Sequence, residues 1–407
     1  LPPLRVSTAR PLFAGLLLVL AATSAKDVRA DGPPKPWVFK DHDRIVFVGD
    51  TLIERDQRYG YLETVLTIEN PSLDLTFRNL GWSGDTVRGL SRAGFDPPEA
   101  GFKALKEQVL AAKPTVLIVG YGMADSFDGP AGLSRFVEGY NAFLDAVAPA
   151  KARLVLLSPL PHEALPAPLP DPTAHNRDLA LYAEAVGKIA QERNAAFIDL
   201  FNGVQRQRGG PRAGVAPDTD DGIHLTALGS WRLADSSFLV GSRKRTFTTL
   251  PFDVKDVEET DQVRKFVSFD SRLHRPLAPG DANDRTYVLQ FQGLKPGRYV
   301  LKIDGRPVAA RTAEEWAAGV GLPPWPAIEQ VEQLRKTINE KNLLFFYRWR
   351  PQNITYLFGF RKHEQGRNAI EIPQFDPLVD AKEKEIARLR KPVAHTYELI
   401  RENEVSQ

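Results

Sequence analysis

Between residues 40 and 240, short runs of β-branched and aliphatic residues alternate with longer amphipathic stretches, and that alternation leaves few folds open. Arg44-Ile-Val-Phe-Val48, Leu75-Thr-Phe-Arg-Asn79, Thr115-Val-Leu-Ile-Val119, Arg153-Leu-Val-Leu-Leu157 and Ala196-Phe-Ile-Asp199 read as strands. Their near-continuous apolar character is that of strands covered on both faces. Helical periodicity occupies residues of about 60–69, 99–112, 132–148 and 176–193 between them, and about 226–239 beyond. The pattern predicts an α/β domain over 36–245, a three-layer α/β/α sandwich around a five-stranded parallel sheet.

With 407 residues, 43% of them hydrophobic, the chain is long enough for more than one core. A net charge of +2, with Lys and Arg dispersed among Asp and Glu, lacks the concentrated basic face that nucleic acid requires. The absence of cysteine removes thiolate catalysis, disulfide scaffolds, cysteine-rich zinc sites and a lipobox. His274, His363 and His395 are isolated and lack ligand spacing, so no metal is expected. Asp41-His42-Asp43 has metal-like residue types but precedes the first strand and reads as a polar entry loop.

Arg5 and Arg10, the apolar run Pro11 to Ala22, and small residues up to Ala30 read as a signal peptide over residues 1–30. The run is shorter than the ~20 residues of a spanning helix. The expectation is an exported protein, periplasmic or secreted, with no stable membrane insertion after cleavage.

Beyond about residue 245 the texture changes to an accessory α+β region, 246–407. A β-module over about 284–310 contains Thr286–Phe291 and Arg298–Ile303, with turns at Pro296-Gly297 and Asp304-Gly305. Helices are expected at 312–318, 327–342 and 379–391, the last on the surface. The aromatic, basic stretch Leu343–Lys362 reads as core in preference to a sugar-stacking surface. The whole region reads as a docking module; the competing role is to lend the site a donor such as Arg361 or His363.

In an open parallel sheet, reactive side chains gather beyond the carboxyl ends of the strands. Gly49-Asp50-Thr51 and Gly120-Tyr-Gly-Met-Ala-Asp125 fall there, and Asp221-Gly-Ile-His224 stands just before a helix. A hydroxyl such as that of Thr51 attacks a carbonyl only if a base takes its proton, and His224 is the plausible base. Asp221, three residues earlier, is placed to hold the Nδ1 proton and orient the ring. Gly84 has no side chain to keep an oxyanion from its N–H. The proline-rich loop 159–175, with His162 and His175, reads as a wall, and 203–220 as either a lid or a solvated connector.

These residues carry a resemblance to the SGNH hydrolases, or GDSL-type esterases, over about 42–240. Gly49-Asp50-Thr51-Leu52 resembles the family's Gly-Asp-Ser-Leu block, with Thr51 at the nucleophile position. Asn79-Leu-Gly-Trp-Ser-Gly84-Asp85-Thr86 resembles the second block, whose glycine gives an N–H to the oxyanion. Gly122-Met-Ala124-Asp125 resembles Gly-x-Asn-Asp, with Ala124 at the oxyanion asparagine, and Asp221-Gly-Ile-His224 resembles the block that supplies the acid and base. The resemblance implies a flavodoxin-like sheet and hydrolysis of a small-molecule ester or a carbohydrate O-acyl ester, with no cofactor. It assigns Thr51, His224 and Asp221 to catalysis and Thr51 and Gly84 to the oxyanion hole, with Asp50 and Ser126 as supporting residues.

Both departures from the family pattern bear on activity. The Thr51 methyl crowds the attack path, and Thr51-Leu-Ile-Glu54 also fits a capping box, so a slow nucleophile and a helix cap are both open. Ala124 has no side-chain donor, a loss typically costing about 3 kcal/mol of transition-state stabilisation. Ser126 could donate instead if the loop is shifted. The alternatives to an acyl-enzyme hydrolase are a catalytically impaired carbohydrate-binding or structural protein of the same fold, and hydrolysis by a water that His224 activates directly.

Overall fold

The first strand, β1 (Arg44–Gly49), runs through the middle of a five-stranded sheet. The computed structural model describes residues 38–208, 215–236, 253–260, 262–269, 273–280, 288–364, 366 and 368–402. The expected signal peptide, residues 209–214 of the expected lid, and Thr286 with Tyr287 lie outside that set. β2 (Thr76–Gly81), β3 (Val116–Gly120), β4 (Arg153–Leu157) and β5 (Ala196–Ile198) complete the sheet in the order β2-β1-β3-β4-β5. All pairings are parallel, which is the flavodoxin-like arrangement expected.

Continuous apolar strands have two faces to bury, and each face here has its own core. Val46, Val48, Leu117, Val119 and Leu156 pack with Leu105 and Val109 of α3 (Pro98–Ala111), Phe143 of α4 (Leu133–Val147) and Val186 of α5 (Thr173–Glu192). The alternate residues Ile45, Phe47, Ile118 and Val155 pack with Ile53 of α1 (Thr51–Tyr59), Leu66 of α2 (Tyr61–Glu69) and Leu200, which opens α6 (Leu200–Arg208). Residues 203–208, expected in the lid, are thus helical. The last helix of this layer is α7 (Ala227–Ala234).

Three glycines let α1 begin directly above the strand ends. A Cβ on Gly49 would lie 2.2 Å from the Gly120 carbonyl oxygen, and one on Gly81 would lie 2.2 Å from the Glu54 nitrogen. Gly49 is the register partner of both Gly81 and Gly120, so the glycines sit side by side at the carboxyl edge. No larger residue fits under the first turn of α1.

A second, antiparallel sheet follows: β6 (Asp253–Glu259), β7 (Val263–Phe269), β9 (Arg298–Ile303), β10 (Arg306–Thr312) and β12 (His395–Arg401), ordered β10-β9-β12-β7-β6. Asp304 (φ 49°) and Gly305 (φ 77°) form the two-residue turn between β9 and β10, the positive-φ pair that suits a tight hairpin. β8 (Val288–Leu289) pairs with β11 (Val320–Gly321). Trp316 of α8 (Ala313–Ala318) is fully buried in this second core.

From Lys35 onward the chain is one compact unit. Its brace is α9 (Pro326–Trp349), 24 residues long, which reaches from the second core to the first sheet. Val331, Leu334 and Ile338 pack with Ile68 of α2 and with Ile386 and Leu389 of α10 (Phe375–Leu389). α10 therefore buries one face, where the sequence suggested a surface helix. The aromatic stretch divides: Phe345 and Trp349 join the first core, whereas Phe358 and Phe360 are 54% and 86% exposed. Among the described residues no helix is long and apolar enough to cross a membrane.

Candidate active site

Thr51 is the first residue of α1, but it does not cap the helix. Asp50 holds that position, its Oδ1 accepting from the Leu52 N–H at 3.4 Å. The capping-box reading of Thr51 is thereby corrected, because the glycine ledge lets the helix start one residue earlier than a Thr51 cap requires. The Thr51 hydroxyl, buried at 4% exposure, instead accepts from the Gly84 N–H at 3.2 Å. The hydroxyl and Gly84 are neighbours.

Gly84 is held there from several sides. Its φ of 70° is the left-handed turn that favours glycine. Next to it, the buried Asp85 carboxylate accepts from Arg92 Nε at 2.7 Å, the Tyr121 hydroxyl at 3.1 Å and the Ser91 N–H at 3.1 Å. On the other side Glu54 Oε2 accepts from the Ser83 N–H at 2.5 Å and from Arg350 at 3.0 Å. The Arg350 guanidinium also lies 3.5 Å over the Trp82 ring, and Trp349 meets that ring at 6.0 Å between centroids. The C-terminal half thus braces the turn that carries Gly84. Neither Arg361 nor His363 lines the cavity beside Thr51, and Arg361 pairs with Glu364 at 2.6 Å.

Asp221 and His224 form a tight unit. His224 Nδ1 lies 2.5 Å from Asp221 Oδ2, while Asp221 Oδ1 accepts from the His224 and Ile223 N–H groups at 2.8 and 3.0 Å. Burial alone would raise the Asp221 pKa, but these hydrogen bonds outweigh it and hold the carboxyl down at about 2. The loop is fixed by Glu163, whose carboxylate accepts from the Thr219 N–H at 2.8 Å and hydroxyl at 2.6 Å. Thr226 then caps α7 by accepting from the Gly229 N–H. Nothing in the sequence around Glu163 marks it for that role.

Thr51 and His224 line the same cavity. No hydrogen bond joins the Thr51 hydroxyl to the His224 ring among the described residues. The loop after β4 walls this cavity with Pro159, Pro161 and His162, as the sequence suggested. His162 stacks on His175 at 4.6 Å, and His175 on Phe127 at 4.3 Å. Burial, then the neighbouring His175, pushes the His162 pKa down to about 4, which leaves the ring neutral near pH 7. Its backbone N–H and carbonyl are both bonded to the Asn176 side chain, at 2.8 and 2.9 Å.

Of the two expected supporting residues, Asp50 lines the cavity and Ser126 does not. Ser126 is buried away from the cavity, donating to the Met123 carbonyl at 2.7 Å and lying 3.1 Å from His175 Nε2, so it offers no donor in place of the missing asparagine. Met123, not Ala124, lines the cavity, and its N–H donates to Asp50 Oδ2 at 3.2 Å. Asp50 is accordingly a structural acceptor: burial, with some help from the charge on Asp125, pushes its carboxyl up to about 7. Asp220, Asp221 and His224 are the one group of three side chains among the described residues that could share a cation, with ligand atoms within 4.8 Å of one another. His224 Nδ1 is already bonded to Asp221, and Asp220 to Arg55 at 3.2 Å.

A parallel α/β sheet with the Thr51 hydroxyl beside the Gly84 N–H, and a histidine–carboxylate pair on the same cavity, defines a hydrolase-type scaffold. Residues 47–232 match the model of the GDSL-like Lipase/Acylhydrolase family. Among solved structures, BT4096, a gut microbial diltiazem-metabolizing enzyme, is similar over 91% of this chain and 100% of its own, with a TM-score of 0.68 at 16% identity. A catalytic mutant of Axe2, an acetylxylan esterase from Geobacillus stearothermophilus, covers 50% of this chain and 97% of its own, with a TM-score of 0.40 at 19% identity. No curated protein matches the sequence.

Proposed function

We propose that the protein hydrolyses carboxylic esters through an acyl-enzyme on Thr51. One observation carries the reading: the Thr51 hydroxyl sits at 3.2 Å from the Gly84 N–H and opens on the same cavity as a histidine locked to its carboxylate at 2.5 Å. In the reaction His224 closes onto the hydroxyl and takes its proton at Nε2, and Thr51 Oγ1 forms a bond to the carbonyl carbon. The carbonyl oxygen becomes an oxyanion facing the Gly84 and Thr51 N–H groups, the latter at the positive end of α1. Collapse breaks the ester C–O bond, and the alcohol leaves with the proton from His224. Water repeats the sequence, releasing the acid and restoring Thr51.

Two N–H donors without the usual asparagine, together with a hindered hydroxyl, make this a slow enzyme. Turnover of aryl esters and acetylated glycans by wild type, Thr51→Ala, Thr51→Ser and His224→Ala tests the reading. Thr51→Ser is expected to raise kcat, and Thr51→Ala and His224→Ala to lower it by about 10³-fold or more. An inert wild type that gains nothing from Thr51→Ser sinks the enzyme reading and leaves a binding protein. Loss in His224→Ala with none in Thr51→Ala makes water the nucleophile.

Export is proposed on the basic and apolar character of residues 1–30. Cell fractionation with that segment intact or deleted checks it. Retention of the intact chain in the cytoplasm rejects it.

A further inference from the structure

The long helix α9 begins in a buried place without the partners that a helix start needs. Its cap residue, Trp325, makes no side-chain capping bond. Of the first N–H groups, Pro326 has none, Ile328 and Glu329 donate to the Trp325 carbonyl at 2.8 and 2.9 Å, and that of Ala327 has no acceptor among the described residues. Ala327 is itself buried, and it borders a pocket separate from the one beside Thr51. Two more unpaired polar atoms belong to residues on this pocket. Ser268 of β7 is 3% exposed, and its shielded hydroxyl has no hydrogen-bond partner; the shielded Nε2 of His395 on β12 has none either. The two residues are direct register partners across β7 and β12, so their side chains stand on the same face of the sheet. Asp304 fixes the imidazole, accepting from Nδ1 at 2.7 Å with one oxygen and from the Thr396 N–H at 2.9 Å with the other. Gln330 of α9, also on the pocket, ties the helix to the chain that leads into β12, donating to the Leu389 and Lys391 carbonyls at 2.7 Å each.

Among the described residues no Asp or Glu borders this pocket, whereas an uncapped helix N-terminus and an unpaired hydroxyl do, so it suits an anion and not a cation. Even counting its open mouth the space is only about 280 Å³, which limits the ligand to a small one. Val393, on the pocket and 58% exposed, brings it to the surface. We propose that the pocket binds a small aliphatic carboxylate, with one oxygen accepting from the Ala327 N–H and the Ser268 hydroxyl, and with one proton held between the other oxygen and His395 Nε2. The Asp304 carboxylate on the far nitrogen of the same ring favours a singly charged ligand over doubly charged inorganic phosphate. Leu273 and Val393 suit a short hydrocarbon tail. Bound there, the ligand completes the cap of the helix that joins the two halves of the chain, so occupancy stabilises the whole molecule.

The test is calorimetric titration and thermal melting of the full chain with sodium acetate, butyrate and phosphate, at an ionic strength held constant with sodium chloride. The expected result is one-to-one binding of butyrate, weaker binding of phosphate, and a melting temperature that rises with butyrate concentration. Ser268→Ala deletes an unpaired buried hydroxyl, so without ligand it is expected to melt at or above the wild-type temperature, and to bind butyrate at least about tenfold more weakly. Val393→Trp, at the exposed rim, is expected to block entry and abolish binding, and it keeps the test decisive if Ser268→Ala does not fold. Equal binding by wild type and both variants means an adventitious ion only and overturns the site. Absence of binding overturns it too, and leaves a buried water as the partner of Ser268 and His395. Phosphate bound more tightly than butyrate overturns the carboxylate assignment.

Discussion

Thr51 and its neighbours show how one residue's role depends on what the next residue does. With Asp50 taking the cap, the threonine hydroxyl is free to face Gly84. Close beneath this point lies a second set of carboxyls, Asp85 and Asp125, and Asp125 is pushed up to about 7 by burial and by the charge on Asp85, against the lowering effect of the Val87 N–H. An acid that titrates near 7 when folded and near 4 when unfolded binds more protons folded in between, so its contribution to stability is full below about pH 4 and is lost as pH rises through about 7. Asp125→Asn keeps an acceptor for the Val87 N–H and removes the titration. Denaturant unfolding should show the variant near wild type at pH 4 and more stable at pH 8, by at most about 4 kcal/mol. Equal differences at both pH values would contradict the buried-carboxyl account.

At the scale of elements, α9 joins the two halves through a buried ion pair. Lys341 Nζ donates to Glu63 Oε1 at 2.7 Å and to the Phe77 carbonyl at 3.0 Å, and Asn342 donates to the other Glu63 oxygen at 3.0 Å. Lys341 is fully buried and Glu63 nearly so, so removing one partner strands a charge in the interior. Lys341→Met is expected to cost about 3–5 kcal/mol in denaturant unfolding, and Glu63→Leu with Lys341→Met to recover most of it. A single variant as stable as wild type would mean that the pair is not buried in solution. About five turns of helix on α9 separate Val331 in the inter-helix core from Trp349 beside Trp82, so the same helix anchors the second core and steadies the Gly84 turn.

For the whole molecule, this brace bears on whether the α/β sandwich stands alone. A fragment of residues 36–245 would expose Ile68, Trp82 and the Glu63 carboxylate, all of which α9 covers or pairs. Circular dichroism melting should give the full chain one cooperative transition, and the fragment a transition at least about 10 °C lower or none. A fragment that melts with the full chain would make the C-terminal half an independent module. The similar fold over 91% of this chain in BT4096 spans both halves as well, not the sandwich alone.

What the sequence determined by itself was whatever is local or periodic. All five strands of the parallel sheet were legible because each is a short run rich in apolar or β-branched residues between helical stretches, and the Asp304-Gly305 hairpin because both residues tolerate positive φ. The pairing of Asp221 with His224 was legible because three residues on one turn bring them together. Tertiary structure alone decided the rest. It placed Asp50 in the cap because three glycines from three strands let α1 start there, and no single segment shows that ledge. It assigned Glu163 to the Thr219 loop, Arg350 to Glu54, and Lys341 to Glu63 across 56, 296 and 278 residues, contacts that carry no spacing signal. It turned Ser126 away and lined the cavity beside Thr51 with leucines from distant elements. Each side chain in the first group answers to its chain neighbours, whereas each in the second answers to a partner that only folding brings near.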